Sequence, residues 1–167
     1  SIVGVPALLP SYAGLLFAWE IEELSRAWKP EHPFLFVLGG AKPETKMPLI
    51  ERFLGIADNI FLGGVVANIF FKELGFEIGR SVSGDSTSHV RKILDSGKIT
   101  LPKDIVVKNN EGVFVKNPSE ISRGDAILDV GPLASAELAE LARKARFVLW
   151  NGPLGDYLKP GFEKASV

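Results

Sequence analysis

The 167-residue sequence contains no cysteine, which excludes disulfide bonds and thiolate metal sites. It also lacks an excess of charge of either sign, because 19 Lys and Arg stand against 20 Asp and Glu. No dense basic cluster occurs, so the electrostatic footprint of a nucleic-acid-binding protein is missing. The absence of cysteine fits a cytoplasmic location, which we expect for this protein.

The sequence also lacks a hydrophobic run suited to a membrane. Residues 1–19 carry no charge, but Pro6 and Pro10 interrupt any helix there and Glu20 follows at once. We therefore expect no membrane association. The two histidines, His32 and His89, stand singly and form no metal-ligand motif, so we predict that both lie on the surface and that the chain has no metal site of its own.

What is present is a hydrophobic fraction of 46% and a repeated strand-helix pattern. The predicted strands are 33–38, 59–62, 126–130 and 147–150, and the predicted helices are 10–30, 45–56, 65–74, 86–94 and 135–144. Segments 105–107 and 113–115 flank a turn and predict a β-hairpin. The alternation predicts an α/β fold with three layers, in which a mainly parallel sheet carries helices on both faces.

Glycines follow the predicted strands. The four strand ends are Gly39-Gly40-Ala41-Lys42, Gly63-Gly64, Asp129-Val130-Gly131-Pro132 and Asn151-Gly152-Pro153-Leu154-Gly155. Ligands of open parallel sheets bind at the carboxyl ends of the strands, where glycine lets backbone approach them and helix N-termini attract phosphate. Lys42 and Lys46 are placed to contact phosphate oxygens. Neither a Walker A loop nor a G-x-G-x-x-G fingerprint is present, so the residues alone predict a nucleotide or phosphate site and no more.

The wording of these motifs resembles the phosphoglycerate kinase family. The matching segments are Gly39-Gly40-Ala41-Lys42 with Lys46, Gly63 to Phe70, Gly75 to Ser81, Leu101-Pro102-Lys103-Asp104, Asp129 to Pro132, and Trp150 to Gly155. They occur in the family's order and span nearly the whole chain. The start, with Val3-Gly4 and Leu9-Pro10-Ser11, is similar to the family's interdomain region.

The resemblance implies an activity and its site. Phosphoglycerate kinases transfer a phosphoryl group between 1,3-bisphosphoglycerate and ADP in glycolysis, giving 3-phosphoglycerate and ATP, with Mg²⁺. Lys46 would face the transferring group as the catalytic residue. The residues expected to bind the nucleotide are Gly39, Gly40, Ala41, Lys42, Lys46, Gly63, Gly64, Leu128, Asn151, Gly152, Pro153 and Gly155. Of these, Gly40, Gly63, Gly64, Leu128 and Pro153 would frame the adenine, and Asn151 would reach the phosphates.

The resemblance also implies a division of the chain. Residues 1–30 correspond to an interdomain helix region, and residues 31–167 to a nucleotide-binding domain truncated at its C-terminal end. The family's Gly-Gly-Gly-Asp segment and its phosphoglycerate-binding domain do not occur in these residues. We therefore expect a monomer that binds ADP or ATP, that meets 3-phosphoglycerate only through the other domain, and that is inactive alone.

Several positions depart from the family pattern. Leu158 stands where the family has a ribose-binding Glu, and Asp156 or Glu163 are the candidates to replace it. Ala165-Ser166 replaces a usual Gly-Thr. A non-catalytic nucleotide-binding fragment is the main alternative. An NAD-dependent oxidoreductase is a third, disfavoured because the glycine fingerprint and its ribose-binding acid are missing.

Overall fold

The computed structural model describes residues 3–84 and 88–167. Two compact units divide the chain, residues 1–30 and residues 31–167. The helices are α1 (Leu15–Ser25), α2 (Pro43–Leu54), α3 (Gly64–Glu73), α4 (Ser88–Leu94) and α5 (Pro132–Lys144). The strands are β1 (Phe34–Leu38), β2 (Asn59–Leu62), β3 (Ile99–Thr100), β4 (Ile105–Asn109), β5 (Gly112–Lys116), β6 (Ala126–Val130) and β7 (Phe147–Asn151). Short 3₁₀ turns cover Arg26–Trp28, Pro118–Glu120 and Lys164–Ser166.

The unit of residues 1–30 contains the apolar helix expected from the sequence, although α1 begins at Leu15 and not at Pro10. None of the residues of α1 is buried, and Trp19 is 57% exposed. Among the described residues, no helix combines the length and apolar character needed to cross a membrane.

A four-stranded parallel sheet forms the centre of the second unit, in the order β3-β2-β1-β7. The apolar run of β1 is buried along its whole length, as a strand covered on both faces requires. Phe34 and Phe36 point to one face, where both rings contact Phe53 of α2. Leu35 and Val37 point to the other face and pack in a cluster that includes residues of α5. The predicted α/β fold with helices on both faces is thus confirmed.

One strand lies in a different sheet from the one that the strand-helix alternation predicted. β6 precedes a helix, as the other parallel strands do, but it pairs antiparallel with β4 in a second sheet of order β5-β4-β6. The predicted hairpin β4–β5 supplies the rest of that sheet. The 3₁₀ turn at Pro118–Glu120, which has a capping box with Asn117, lies in the connection between β5 and β6. After this connection β6 runs antiparallel to β4.

A buried carboxylate stabilises the connection between β5 and β6. Asp125 is fully buried and accepts hydrogen bonds from Lys116 Nζ (2.7 Å), Asn109 Nδ2 (2.8 Å) and the backbone and hydroxyl of Ser122 (both 2.9 Å). Burial raises the pKa of Asp125, but the hydrogen bonds, with that from Lys116 foremost, outweigh it and hold this pKa well below its usual range. The carboxylate therefore ties the β4–β5 hairpin to the segment before β6.

The remaining differences are at element ends. The sequence missed the two-residue strand β3, and it placed the starts of α2, α3 and α5 one to three residues late, because each helix begins at the proline or glycine that ends the preceding turn. Of the predicted helix 86–94, residues 86 and 87 lie outside the described residues. His32 and His89 are exposed as predicted, yet each contacts a carboxylate, His32 with Asp58 and His89 with Glu51.

The first prediction concerns the buried ion pair of Asp125. Replacing Lys116 by Met leaves the buried carboxylate without its cation, which we expect to lower the free energy of unfolding by about 3–5 kcal/mol at pH 7. Because the folded-state pKa is depressed, the stabilisation is present above the unfolded pKa of about 3.9 and is lost as the pH falls through the folded-state value. Urea unfolding at pH 7 measures the first effect, and a series from pH 5 down to pH 2 measures the onset of the second.

Lys108→Met is the matched control, because Lys108 is an exposed lysine of β4 in the same hairpin. Its unfolding should stay within about 0.5 kcal/mol of the parent protein. Equal effects of the two substitutions, or a Lys116→Met deficit that grows toward acid pH, would contradict the role given to Asp125.

Candidate functional site

Three loops meet at the carboxyl edge of the parallel sheet. The register places Leu38, Leu62 and Asn151 level with one another at the ends of β1, β2 and β7. The glycine-bearing turns that follow these strands therefore lie side by side, as the sequence predicted. The turn after β6 belongs to the other sheet, but Asp156 N donates to Leu128 O (2.7 Å), which brings the β7 loop alongside β6.

Backbone hydrogen bonds join these loops to each other. Gly40 N donates to Pro153 O (2.8 Å), Gly64 N to Leu154 O (2.9 Å), and Val65 N to Gly40 O (3.2 Å). Each loop thus supplies donors or acceptors to its neighbour, and the edge is one hydrogen-bonded layer. Two of the first N–H groups of α3 are used in this layer.

The glycines serve this packing between loops. A Cβ on Gly39 would overlap the backbone carbonyl of Pro153, and a Cβ on Gly155 would overlap the Asp129 carboxylate. Gly64 and Gly152 also have positive φ values of 58° and 82°. The sequence interpretation assigned these glycines to close approach of a ligand, whereas the structure shows that backbone of a neighbouring loop is the nearest neighbour of Gly39, Gly64 and Gly152.

A cavity of about 400 Å³ opens between the glycine loops and the second sheet. Six of the predicted nucleotide-binding residues line it: Gly40, Ala41, Gly64, Leu128, Pro153 and Gly155. Three others, Gly39, Gly63 and Gly152, are absent from the lining and pack between the loops. The volume falls within the usual range for small-molecule sites, about 300–1,000 Å³.

The two predicted lysines lie at the start of α2. Lys42 is the N-cap residue of this helix, directly after the cavity-lining Ala41. One turn on, Lys46 Nζ donates to Asn151 Oδ1, a contact between residues 105 positions apart in the chain. The Lys46 side chain also passes beside Gly40. The fold therefore gathers Lys46, Asn151 and the wall of the cavity at one place.

Of the helices that follow these turns, α5 does not offer its N-terminus to a ligand. The carboxylate of Asp104, which is 4% exposed, accepts hydrogen bonds from Leu133 N (3.0 Å) and Ala134 N (2.8 Å) in its first turn. The Leu101-Pro102-Lys103-Asp104 segment thus has a structural role, because its Asp104 caps the N-terminus of α5 although the two are distant in the sequence. The sequence-based expectation of phosphate-binding N–H groups is wrong for this helix.

Some residues of the cavity were not among the predicted nucleotide-binding residues: Asn68, Arg80, Ser81, Val82, Asp129 and Lys159. Asp129 accepts from Val130 N (2.8 Å) and Ala165 N (3.4 Å), and burial raises its pKa although these hydrogen bonds oppose the rise. Asn68 carried a usable signal, because it is a polar residue inside an apolar helical run. Asp129 stood at one of the predicted strand ends, and the others are placed here only by the tertiary fold.

The two candidates for an acid that would face a ribose, Asp156 and Glu163, differ in their position relative to the cavity. Asp156 lines the cavity, and its carboxylate pairs with Lys159 Nζ at 2.7 Å. Glu163 is not in the lining and accepts a hydrogen bond from Gly161 N (2.7 Å). Of the two candidates from the sequence, Asp156 is the one in the cavity wall.

The fold and this edge define an α/β protein whose cavity lies where open parallel sheets hold their ligands, outside the carboxyl ends of the strands. The model of the phosphoglycerate kinase family matches residues 1–167. The chain belongs to the phosphoglycerate kinase family.

Relatives and solved structures agree with this assignment. A phosphoglycerate kinase of Rhizorhabdus wittichii is 36% identical over 100% of this chain and 45% of its own length, and one of Thermus thermophilus is 36% identical over 100% and 46%. The structure of phosphoglycerate kinase from Coxiella burnetii matches with a TM-score of 0.84, at 33% identity over 92% of this chain and 42% of that one. The chain thus spans less than half the length of these relatives.

The second prediction tests the packing between loops. Gly39→Ala places a methyl group against the Pro153 carbonyl, so we expect a loss of stability of about 1–3 kcal/mol or more and a displaced β7 loop. Gly55→Ala is the control, because a Cβ there has no neighbour within 4 Å and the residue has an ordinary helical φ of −80°. Thermal unfolding compares the two variants, and a Gly39→Ala protein as stable as Gly55→Ala would disprove the stated overlap.

Proposed function

We propose that the cavity binds ADP or ATP and that the whole protein is a phosphoglycerate kinase. The observation that carries the proposal is the contact of Lys46 with Asn151 beside an apolar cavity, in a member of the phosphoglycerate kinase family. The base and ribose would occupy the cavity, and the phosphates would extend toward Lys42 and Lys46.

Donors and charge favour the start of α2 for the phosphates. The first-turn N–H groups of α5 are used by Asp104, and two of those of α3 are used by neighbouring loops. The start of α2 combines the positive end of a helix dipole with Lys42 and Lys46, so an anion is stabilised there by both. Asn151 would hold Lys46 in place before the nucleotide arrives.

Magnesium is expected to come with the nucleotide. Across residues 3–84 and 88–167, no group of three or more His, Cys, Asp or Glu side chains is arranged to hold a metal ion. Mg²⁺ in phosphoryl-transfer enzymes is bound by one or two carboxylates together with substrate phosphates and water. A site completed by the phosphates therefore suits this chain better than a site built only of protein ligands.

The proposed reaction is phosphoryl transfer between 1,3-bisphosphoglycerate and ADP, which belongs to glycolysis. The contribution of these residues would be to position the nucleotide and to neutralise charge, with Lys46 facing the transferring group. The acceptor site is proposed to lie outside the 167 residues, since the relatives are more than twice as long. A monomeric state and a cytoplasmic location stay predictions.

The third prediction is the direct test of the site. We expect titration calorimetry with ADP and Mg²⁺ to show one binding site, and Lys46→Met to weaken binding by about tenfold through the loss of a charge-assisted contact to phosphate. Lys144→Met, an exposed lysine at the far end of α5, should leave the affinity unchanged. No binding at millimolar ADP by a folded sample would refute the proposed nucleotide site.

The fourth prediction separates nucleotide binding from catalysis. The 167 residues assayed alone with 1,3-bisphosphoglycerate and ADP should show no turnover, because catalysis requires both phosphate-bearing substrates to be held in line, an effect worth about 7–11 kcal/mol of the barrier. A coupled assay for ATP measures this. Turnover that survives purification and disappears in Lys46→Ala would show that the acceptor site lies within these residues after all.

A further inference from the structure

Asp156 is an accessible carboxylate on the wall of the cavity. It belongs to the lining, and its side chain is 34% exposed, so a molecule in the cavity can reach it. One oxygen, Oδ2, pairs with Lys159 Nζ at 2.7 Å, whereas Oδ1 has no partner within the described part of the chain. An ionised carboxylate only accepts hydrogen bonds, so Oδ1 is left to accept one from a ligand that carries a donor.

The other carboxylate of the cavity wall is already satisfied by the fold. Asp129 is buried, and its two oxygens accept hydrogen bonds from Val130 N (2.8 Å) and Ala165 N (3.4 Å). Leu158, which also lines the cavity, has no polar atom in its side chain. Within the described lining, Asp156 is therefore the carboxylate that can meet a donor of the ligand.

The position of Asp156 in the β7 loop indicates which part of a nucleotide it would meet. The loop begins at Asn151, which contacts Lys46 at the proposed phosphate end. Residues 153–155 then line the cavity, and Asp156 N donates to the backbone oxygen of Leu128 (2.7 Å), a residue expected to frame the base. The carboxylate thus lies along the wall after the phosphate end and next to the base frame, and in a nucleotide the ribose stands between phosphates and base.

We propose that Asp156 Oδ1 accepts a hydrogen bond from a ribose hydroxyl and so selects nucleotides that carry the sugar hydroxyls over those that lack them. This inference rests on the proposed nucleotide site. A carboxylate repels a phosphate, whereas a hydroxyl is a neutral donor whose hydrogen bond to the carboxylate is charge-assisted. Lys159 balances the charge of Asp156, which limits its repulsion of the phosphates at the start of α2. Sites that hydrogen-bond a hydroxyl discriminate against analogues without it.

The test compares ligands that differ only in the sugar. Calorimetry with the 167-residue chain and Mg²⁺ measures ADP and 2′,3′-dideoxy-ADP, which lacks both hydroxyls. ADP should bind about tenfold more tightly, the effect of one hydrogen bond to a charged acceptor. This comparison needs no mutation, so it decides the proposal even if a variant fails to fold. Equal affinities would overturn the inference while leaving the nucleotide site standing, and binding of neither ligand would overturn both.

Variants locate the effect at Asp156. Asp156→Ala removes the acceptor, so the ratio of ADP to dideoxy-ADP affinity should fall to about one. Glu163→Ala is the matched control, because it removes another carboxylate of the segment after β7 that does not line the cavity, and it should keep the tenfold ratio. An unchanged ratio in folded Asp156→Ala would overturn the inference. IDP, which lacks the 6-amino group, tests the other donor of the nucleotide: if Asp156→Ala changes the ADP-to-IDP ratio in place of the sugar ratio, the carboxylate binds the base and the inference is wrong.

Discussion

The contact on which this edge of the molecule depends is the approach of the β7 loop to the β1 loop, where Gly39 lies directly against the Pro153 carbonyl. No side chain separates the two backbones, and Gly40 N bonds to the same carbonyl oxygen at 2.8 Å. Parallel strands bring their ends to one level, but only residues without a Cβ let the following turns close onto each other. The position of Asn151, and through it of Lys46, follows from this closure.

The close approach of these loops explains why glycines follow the strands even when no ligand is considered. A strand-end glycine in an open α/β fold is usually attributed to backbone approach to a phosphate or a base. Here Gly39, Gly63 and Gly152 pack against the neighbouring loop, and only the outer residues, such as Gly40 and Gly64, reach the cavity. The inner glycines therefore serve packing between loops, and the outer ones line the cavity that is proposed to bind a ligand.

Strong local signals made part of this predictable. The strands β1, β2 and β7 were found because each contains a short apolar run, of three to six residues, that is closely followed by glycine and is too short for a buried helix. Their common edge follows from parallel pairing. The sheet membership of β6 was not predictable, because a strand followed by a helix has the same local pattern whether it pairs with β1 or with β4. Asp125, just before β6, accepts hydrogen bonds from Lys116 and Asn109 of the β4–β5 hairpin, and these contacts carry no periodic signal in the sequence.

Three buried carboxylates contribute to the chain's net charge of −1, and the fold supplies each of them with hydrogen-bond donors. Asp104 accepts from the first turn of α5, Asp125 is neutralised by Lys116, and Asp129 binds backbone N–H groups of Val130 and Ala165. Each of these carboxylates has partners within the fold, so its field at the cavity is reduced by the donors around it. Lys42 and Lys46 have no such buried counter-charge among the described contacts, and Lys46 contacts the neutral amide of Asn151 instead. A positive charge held by a neutral partner keeps its attraction for an anion, which is what a phosphate site at the start of α2 requires.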